Sequence, residues 1–291
     1  MRLLKYIEAL SPITFISSIL SAIIGASITY SIFRHVDLIK LSIVIICLIL
    51  IHSGVNLYND YRDYTTGIDI EYRKVRTLHR VNMILDLNVD PKLVRNISII
   101  LIGIAIVLGS ILLISLSIIE VFIIVFLGVF IGVGYSSPIV KLRYRGFGEI
   151  FAGIATGPLI TCGTFIVLSN TLNIYGITLS IIAGLANGMY TTIILTKLAI
   201  ARYDVDLKLG KKTIAVVLGL ENVKYVLYIF IFIIYLVPIV LIILKSVSLI
   251  ILLTYITLPL TLHSLKVRNP FYIFAIRCIT STFICLGFIL H

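Results

Sequence analysis

The chemistry-bearing residues of this chain gather in residues 52 to 69, HSGVNLYNDYRDYTTGID. Asn56, Asp60 and Asp63 fall at i, i+4 and i+7, so a helix puts all three on one face. Two carboxylates and an amide oxygen at the end of an apolar run are hard oxygen donors. Mg2+ takes such ligands, usually one or two carboxylates plus substrate phosphate oxygens. Gly67 reads as a helix-terminating glycine, which leaves Asp69 on a loop able to fold back. The alternative is an acidic helix end in solvent, salt-bridged to Arg62 or Arg73. Several acids in register with an amide favour the metal reading, because such a cluster is costly beside hydrocarbon.

A second cluster holds Lys197, Arg202, Asp204 and Asp206, followed by Gly210, Lys211, Lys212 and Thr213. Tyr190, Lys197 and Asp204 share one helical face, and Arg202 and Asp206 another. Both aspartates therefore reach one site only where the helix ends near Tyr203. Carboxylates beside basic side chains suit a magnesium diphosphate: Asp204 and Asp206 hold metal while Lys197, Arg202 and Lys211 meet phosphate oxygens. For Lys208, Lys211 and Lys212 taken singly, a solvated basic loop fits as well. A third stretch, YSSPIVKLRYRGFGE, carries Tyr135, Arg143, Arg145 and Glu149. It is either a contact for an anionic acceptor or an ordinary interfacial loop with tyrosines at the headgroups. Arg73, Lys74, Arg76, His79 and Arg80 meet diphosphate or anionic lipid. Arg277, seven residues past Pro270 in an apolar run, is expected to snorkel to the interface rather than turn inward. Asn187 and Thr191 either make interhelical hydrogen bonds or line a cavity, and the former is expected.

The elements that position these groups are membrane spans. Of the 291 residues 60% are hydrophobic and 13% charged, and mean hydropathy is +1.15; a soluble core does not need that much apolar residue. At about 20 residues per span, nine candidates appear: 12–33, 38–57, 96–116, 118–135, 148–169, 174–198, 223–244, 247–265 and 271–290. The fold class is all-α, one polytopic domain over residues 1–291. Pro158 and Pro238 fall inside spans and predict kinks. The net charge of +11 reads as loop charge and not as a nucleic-acid surface, since no groove-reading module is present. Twenty of the 24 Lys and Arg fall on the side of the N-terminus, which the positive-inside bias makes cytoplasmic, with His291 outside. All carboxylates but Asp37 and Glu120 lie on that side, so the chemistry belongs to the cytoplasmic face of a cell membrane. Cys47, Cys162, Cys278 and Cys285 sit in apolar runs with neither zinc nor disulfide spacing. The N-terminal MRLLKYIEALSP lacks a cleavage pattern and reads as mature sequence. Asp63-Tyr-Thr-Thr-Gly67 and Asp206-Leu-Lys-Leu-Gly210 are both DxxxG, four spans apart, a weak repeat compatible with halves of about 1–146 and 147–291.

NLYNDYRDYTTGID resembles the first aspartate motif of the UbiA superfamily of intramembrane prenyltransferases. It is closest to the MenA type, the 1,4-dihydroxy-2-naphthoate polyprenyltransferases. YSSPIVKLRYRGFGEIFAGIATGPL is similar to that branch's middle segment, and DVDLKLGKKTIAVVLG to the end of its second aspartate motif. The family's second motif usually has an Asp four residues before the one matching Asp206; here that residue is Arg202. The resemblance implies a nine-helix bundle around a central cavity and Mg2+-dependent transfer of a polyprenyl group from its diphosphate to an aromatic acceptor, in menaquinone or related quinone biosynthesis. It implies Asn56, Asp60, Asp63 and Asp206 as metal and diphosphate ligands. Asp69, Asp204, Lys197, Arg202 and Lys211 come second, with Tyr135, Arg143 and Arg145 on the acceptor side. Alternatives are an ether-lipid glycerol, haem or carotenoid acceptor. A transporter is a further alternative, but it would want ionisable groups at mid-membrane rather than at one face.

Overall fold

The computed structural model describes residues 2–74, 81–114, 130, 145–267 and 271–291. Among them every regular element is helical: α1 (Arg2–Ala9), α2 (Pro12–Phe33), α3 (Leu38–Thr65), α4 (Ile68–Lys74), α5 (Pro91–Ile114), α6 (Gly148–Ile154), a π-turn (Ala155–Leu159), α7 (Ile160–Ser169), α8 (Ile174–Ala201), α9 (Tyr203–Lys208), α10 (Ile214–Ile243), a 3₁₀ helix (Leu249–Thr257), α11 (Leu258–Ser264) and α12 (Phe271–Ile289). Local chemistry starts them. Asp37 caps α3 by accepting from the N–H groups of Ile39 and Lys40 at 3.0 Å, and Asn173 caps α8 by accepting from the N–H of Gly176 at 2.8 Å; such caps satisfy the orphan donors of a first turn. Pro12 opens α2 where its missing N–H costs nothing.

The chain is a multi-pass membrane protein. Among the described residues seven helices are long and apolar enough to cross a bilayer, and they match seven of the nine expected spans. The eighth, Leu249–Ser264, has only 16 residues across its 3₁₀ and α parts. A 3₁₀ helix climbs about 2.0 Å per residue against about 1.5 Å for α, which stretches this segment to roughly 28 Å, close to a hydrocarbon core. The expected span 118–135 lies outside the described residues except for Phe130. Ile39, Ile174, Phe232 and Ile243 are each more than 60% exposed on the perimeter, as side chains facing lipid are.

The two expected proline kinks came out differently. At Pro158 the backbone takes a π-turn, because the ring denies an N–H to the ladder and crowds the preceding turn. At Pro238 the backbone stays helical, and the break in α10 is at Gly219, with φ 78° and ψ 158°. One missing donor inside a packed span is absorbed; a glycine in the left-handed half of the map is not a helical residue. The π-turn lies where two backbones meet. A Cβ on Gly157 would stand 2.4 Å from the carbonyl oxygen of Gly184, and one on Gly188 would stand 2.4 Å from that of Gly153. The spacing Gly153–Gly157 against Gly184–Gly188 is the small-residue pattern that lets membrane helices touch backbone to backbone. It brings α6 and the π-turn against the middle of α8.

A smaller apolar cluster of Ala9, Leu57, Met83, Ile84 and Val94 lies under the end of the bundle where α1, α3 and α5 meet residues 81–90. It is this end that carries the acidic turns.

Candidate metal and diphosphate site

Asp60 and Asp63 occupy the last turns of α3, with 1% and 5% exposure. Carboxylates that deep beside apolar helices are costly without strong partners. Asn56, one turn earlier, donates its amide nitrogen to the Leu10 carbonyl at 3.1 Å and to Thr14 Oγ1 at 3.0 Å. It therefore ties α3 to the start of α2. Beyond Gly67 the chain turns into α4. Asp69 is buried there and its Oδ2 accepts from Asn82 Nδ2 at 2.8 Å. Asn82 in turn accepts from the N–H groups of Ile84 and Leu85. Its own N–H donates to Asp86, which also pairs with Arg73 at 2.6 Å. Burial works against ionisation of Asp86, but the Arg73 guanidinium and the Asn82 amide outweigh it and hold the carboxyl below its usual value. Asp69 is thus partly spent on fixing the 81–90 segment.

The second turn is built on Tyr72. This side chain is fully buried and its hydroxyl donates to Asp206 Oδ1. Lys211 Nζ donates to the same hydroxyl at 2.5 Å and stands 3.7 Å from Asp206 Oδ1. The Arg202 guanidinium lies 4.3 Å from the Tyr72 ring centroid, and Lys211 Nζ lies 5.0 Å from it, a cation–π geometry in both cases. Asp206 is 1% exposed, and among the described residues its Oδ2 accepts no hydrogen bond. One tyrosine from α4 thereby joins the aspartate, the lysine and the arginine of the second cluster to the element that follows the first.

Backbone geometry repeats between the two turns. Gly67 and Gly210 have φ of 77° and 67°. Each glycine N–H bonds the carbonyl three residues back, Tyr64 at 3.0 Å and Leu207 at 3.2 Å. In each, an aspartate precedes the glycine by four positions.

Other candidates are placed elsewhere. Asp204 is exposed. α8 does end at Ala201, but helix resumes at Tyr203, and residues two apart on one helix turn to different faces. Asp204 and Asp206 therefore do not share a site. Lys197 donates to the carbonyls of Ser264 and Val267, the latter at 2.6 Å; it closes the end of α11 and is not brought to the acidic turns. Arg145 is exposed, and its backbone forms a parallel bridge with Lys212. Glu149, 4% exposed, accepts from the N–H of Ile214 at 3.4 Å, so the 145–149 segment docks on residues 212–214. Tyr135 and Arg143 lie outside the described residues.

Arg277 does not snorkel. It is fully buried, and its Nε donates to Asn187 Oδ1. Asn187 donates to the Ser17 carbonyl at 2.9 Å and to Ser21 Oγ at 2.5 Å. Thr191 meets Thr156 Oγ1 at 2.9 Å, so Asn187 and Thr191 do join helices. The amide at mid-span gives the guanidinium an inward partner, which the interface seven residues away did not outbid. Tyr72 and Asn82 were not singled out from the sequence. The available signal for Tyr72 was its i+3 spacing from Asp69, which puts both on one face of α4.

Asp60, Asp63 and Asp206 are buried hard-oxygen donors of the kind Mg2+ takes. Among the described residues no three acidic, His or Cys side chains converge as a ready-made cluster. Mg2+ commonly takes part of its shell from substrate oxygens.

A model of the UbiA prenyltransferase family matches residues 18–271. Among curated relatives, the chain is 28% identical over 225 residues to UbiA prenyltransferase domain-containing protein 1 of Danio rerio, covering 77% of this chain and 63% of that protein. It is 26% identical over 208 residues to the 1,4-dihydroxy-2-naphthoate octaprenyltransferase of Bacillus subtilis, covering 72% and 64%. It is also 26% identical over 229 residues to the 2-carboxy-1,4-naphthoquinone phytyltransferase of Synechocystis, covering 76% and 68%. The matched part thus spans somewhat less than two thirds of the first two relatives. Among solved structures, a UbiA homolog from Aeropyrum pernix K1 superposes with a TM-score of 0.71 at 15% identity, covering 95% of this chain and 97% of that one. A UbiA homolog from Archaeoglobus fulgidus bound to GPP and Mg2+ gives 0.65 at 16% identity, covering 99% and 100%.

Proposed function

Because the chain belongs to the UbiA prenyltransferase family, we propose that it moves a polyprenyl group from a polyprenyl diphosphate to an aromatic acceptor, with Mg2+ as cofactor. The acceptor is a naphthoate-type aromatic acid of quinone biosynthesis; the names of the Bacillus and Synechocystis relatives support that choice. The carrying observation is the Tyr72 bridge, which fastens the turn of Asp206 and Lys211 to the element that follows Asp60 and Asp63.

Asp60, Asp63 and Asp206 would hold Mg2+ with the Asn56 oxygen in support, and the bound metal supplies charge neutralisation for the diphosphate. The rest falls to the chain's own residues. Lys211 and Arg202 face the leaving diphosphate with fixed positive charge as the allylic C–O bond breaks and its electron pair departs on oxygen. A ring carbon of the acceptor then bonds to the cation and the ring loses a proton. The apolar spans keep bulk water from quenching that cation, and the isoprenoid chain lies among them or in lipid. The excess of Lys and Arg on one side supports a cytoplasmic N-terminus, an outer His291 and a site at the cytoplasmic face.

The test adds labelled geranylgeranyl diphosphate, Mg2+ and a panel of acceptors to the purified protein: 1,4-dihydroxy-2-naphthoate, 4-hydroxybenzoate, an ether-lipid glycerol and haem. Prenylated naphthoate is expected, abolished by EDTA. Prenylation of another acceptor alone would replace the acceptor class. No product with any acceptor, together with Asp60→Ala and Asp63→Ala binding diphosphate as the parent does, would sink the enzyme reading.

A further inference from the structure

One deeply buried charged side chain takes no part in the site described above. Among the described residues Arg277 is the largest fully buried side chain. Its hydrogen bond to Asn187 uses one of the five N–H groups a guanidinium offers. Among the described residues Nη1 and Nη2 have no hydrogen-bond partner, and no carboxylate pairs with Arg277. A charged group among membrane helices is costly and marks a polar pathway or ligand by default. Mere helix adhesion does not account for it. Asn187 already bonds Ser17 and Ser21 across to α2, and a neutral Gln or Met in place of Arg277 would fill the space without stranding two nitrogens.

Its depth can be read from the helix register. α2 and α3 run antiparallel, with Thr14 against Asn56 and Ser18 Oγ 2.9 Å from His52 Nδ1. Asn187, which accepts from Arg277, joins α2 at Ser17 and Ser21, the His52 level. From His52 to Asp60 is eight residues of one helix, about 12 Å at 1.5 Å per residue. The unused face of Arg277 therefore stands below the acidic turns by roughly the length of a diphosphate plus a fused ring.

We propose that Arg277, oriented by Asn187, is the carboxylate-docking residue for the acceptor, taking a planar aromatic acid through its two free guanidinium nitrogens. This rests on the prenyltransferase reading. The diphosphate is met at the acidic turns, and a prenyl chain is hydrocarbon with nothing to offer an arginine. The remaining anion of the reaction is the acid on the acceptor ring. A guanidinium fork matches a carboxylate with two parallel N–H···O bonds, and the two free nitrogens supply them. Such an anchor does two things. It fixes which ring carbon faces the allylic cation, and it ties up the carboxylate, whose oxygens would otherwise capture the cation as an ester.

The chain contains no tryptophan, so naphthalene fluorescence reports binding directly. The probes are 1-hydroxy-2-naphthoate and 1-naphthol, which differ by the carboxylate, titrated into detergent-purified protein with Mg2+. Arg277→Gln is expected to weaken the acid about 30-fold or more, the scale of a lost charge-assisted pair, while 1-naphthol changes less than about threefold. Binding of geranylgeranyl diphosphate should stay within about twofold. Arg277→Lys, which keeps the charge but loses the fork, should fall between. Equal loss of both probes, or an unchanged acid, overturns the proposal. If Arg277→Gln does not fold, Arg277→Lys decides: parental affinity for the acid overturns the proposal, and selective loss sustains it. Should the parent protein prenylate no aromatic at all, the function proposed above fails. The contrast between acid and naphthol would still decide whether Arg277 holds a carboxylate.

Discussion

The turn that ends at Gly67 and the turn that ends at Gly210 share a backbone but not their neighbours. Asp60 and Asp63 close a 28-residue helix. Asp206 sits in a six-residue helix with Lys211 and Arg202 packed about the same tyrosine. The first turn presents two carboxylates from one long helix, and the second sets a single carboxylate beside a lysine. A magnesium diphosphate carries both signs, so unequal halves suit it: the first offers two carboxylates to metal, the second adds Asp206 to the metal and offers cations to phosphate.

The largest effect should come from the acidic turn. Asp60→Asn or Asp63→Asn is expected to cut prenyl transfer by about 1,000-fold or more and to weaken Mg2+-dependent diphosphate binding, on the scale at which lost electrostatic stabilisation slows an enzyme. Steady-state rates at several Mg2+ concentrations test this. Asp206→Asn should cost less, about 100-fold, and mainly in kcat. Neutralising it removes one metal ligand but leaves the Lys211 charge free for the diphosphate, so KM for that substrate should rise less than in the Asp60 or Asp63 variants. Equal losses with equal KM rises at both turns would erase the distinction drawn here.

Tyr72→Phe probes the joint between the halves. It keeps the ring under Arg202 and deletes the hydroxyl between Lys211 and Asp206. A buried hydrogen bond to charged partners is worth about 1.5–3 kcal/mol, so a decline of roughly 10- to 100-fold in kcat/KM is expected. An undiminished rate would mean that Lys211 and Asp206 hold each other without the bridge.

Sequence reading recovers the first turn better than the second, and the reason is the range of the interactions. Asp60 and Asp63 are in register on one long helix, and helical spacing is a local property. The turn of Asp206 depends on Tyr72, 134 residues away, one of 16 tyrosines that interfacial preference explains equally well. Asp204 and Lys197 looked like ligands because they are close in sequence. A restart of helix at Tyr203 and two carbonyls at the end of α11 take them elsewhere. Arg202 lies on the Tyr72 ring, a contact invisible before folding. Seven of the nine expected spans were legible from hydropathy alone. The π-turn at Pro158 and the break at Gly219 were not, since both depend on what packs beside them.

The smallest effect belongs to the support of the acidic turn. Asn82 fixes Asp69, and Asp86 fixes Asn82 while pairing with Arg73. The Asp86 carboxyl is held below its ordinary value of 3.8. A depressed carboxyl stabilises the folded form above the unfolded pKa and loses that stabilisation as pH falls through the folded one. The latch should therefore be complete at neutral pH and weaken only below about pH 4. Arg73 and Asp86 are partly exposed, so the gain is about 0.5 kcal/mol, as for surface pairs. Hydrogen exchange at the Asn82 and Asp86 amides should quicken slightly on acidification in the parent. In Asp86→Asn it should be fast already at neutral pH and flat with pH, with prenyl transfer within about twofold. The Tyr72 joint contains no carboxyl exposed to solvent, and exchange at residues 206–211 should not follow the same curve. A common acid response at both turns would mean that they open as one unit, and the two halves would then have to be treated as a single site.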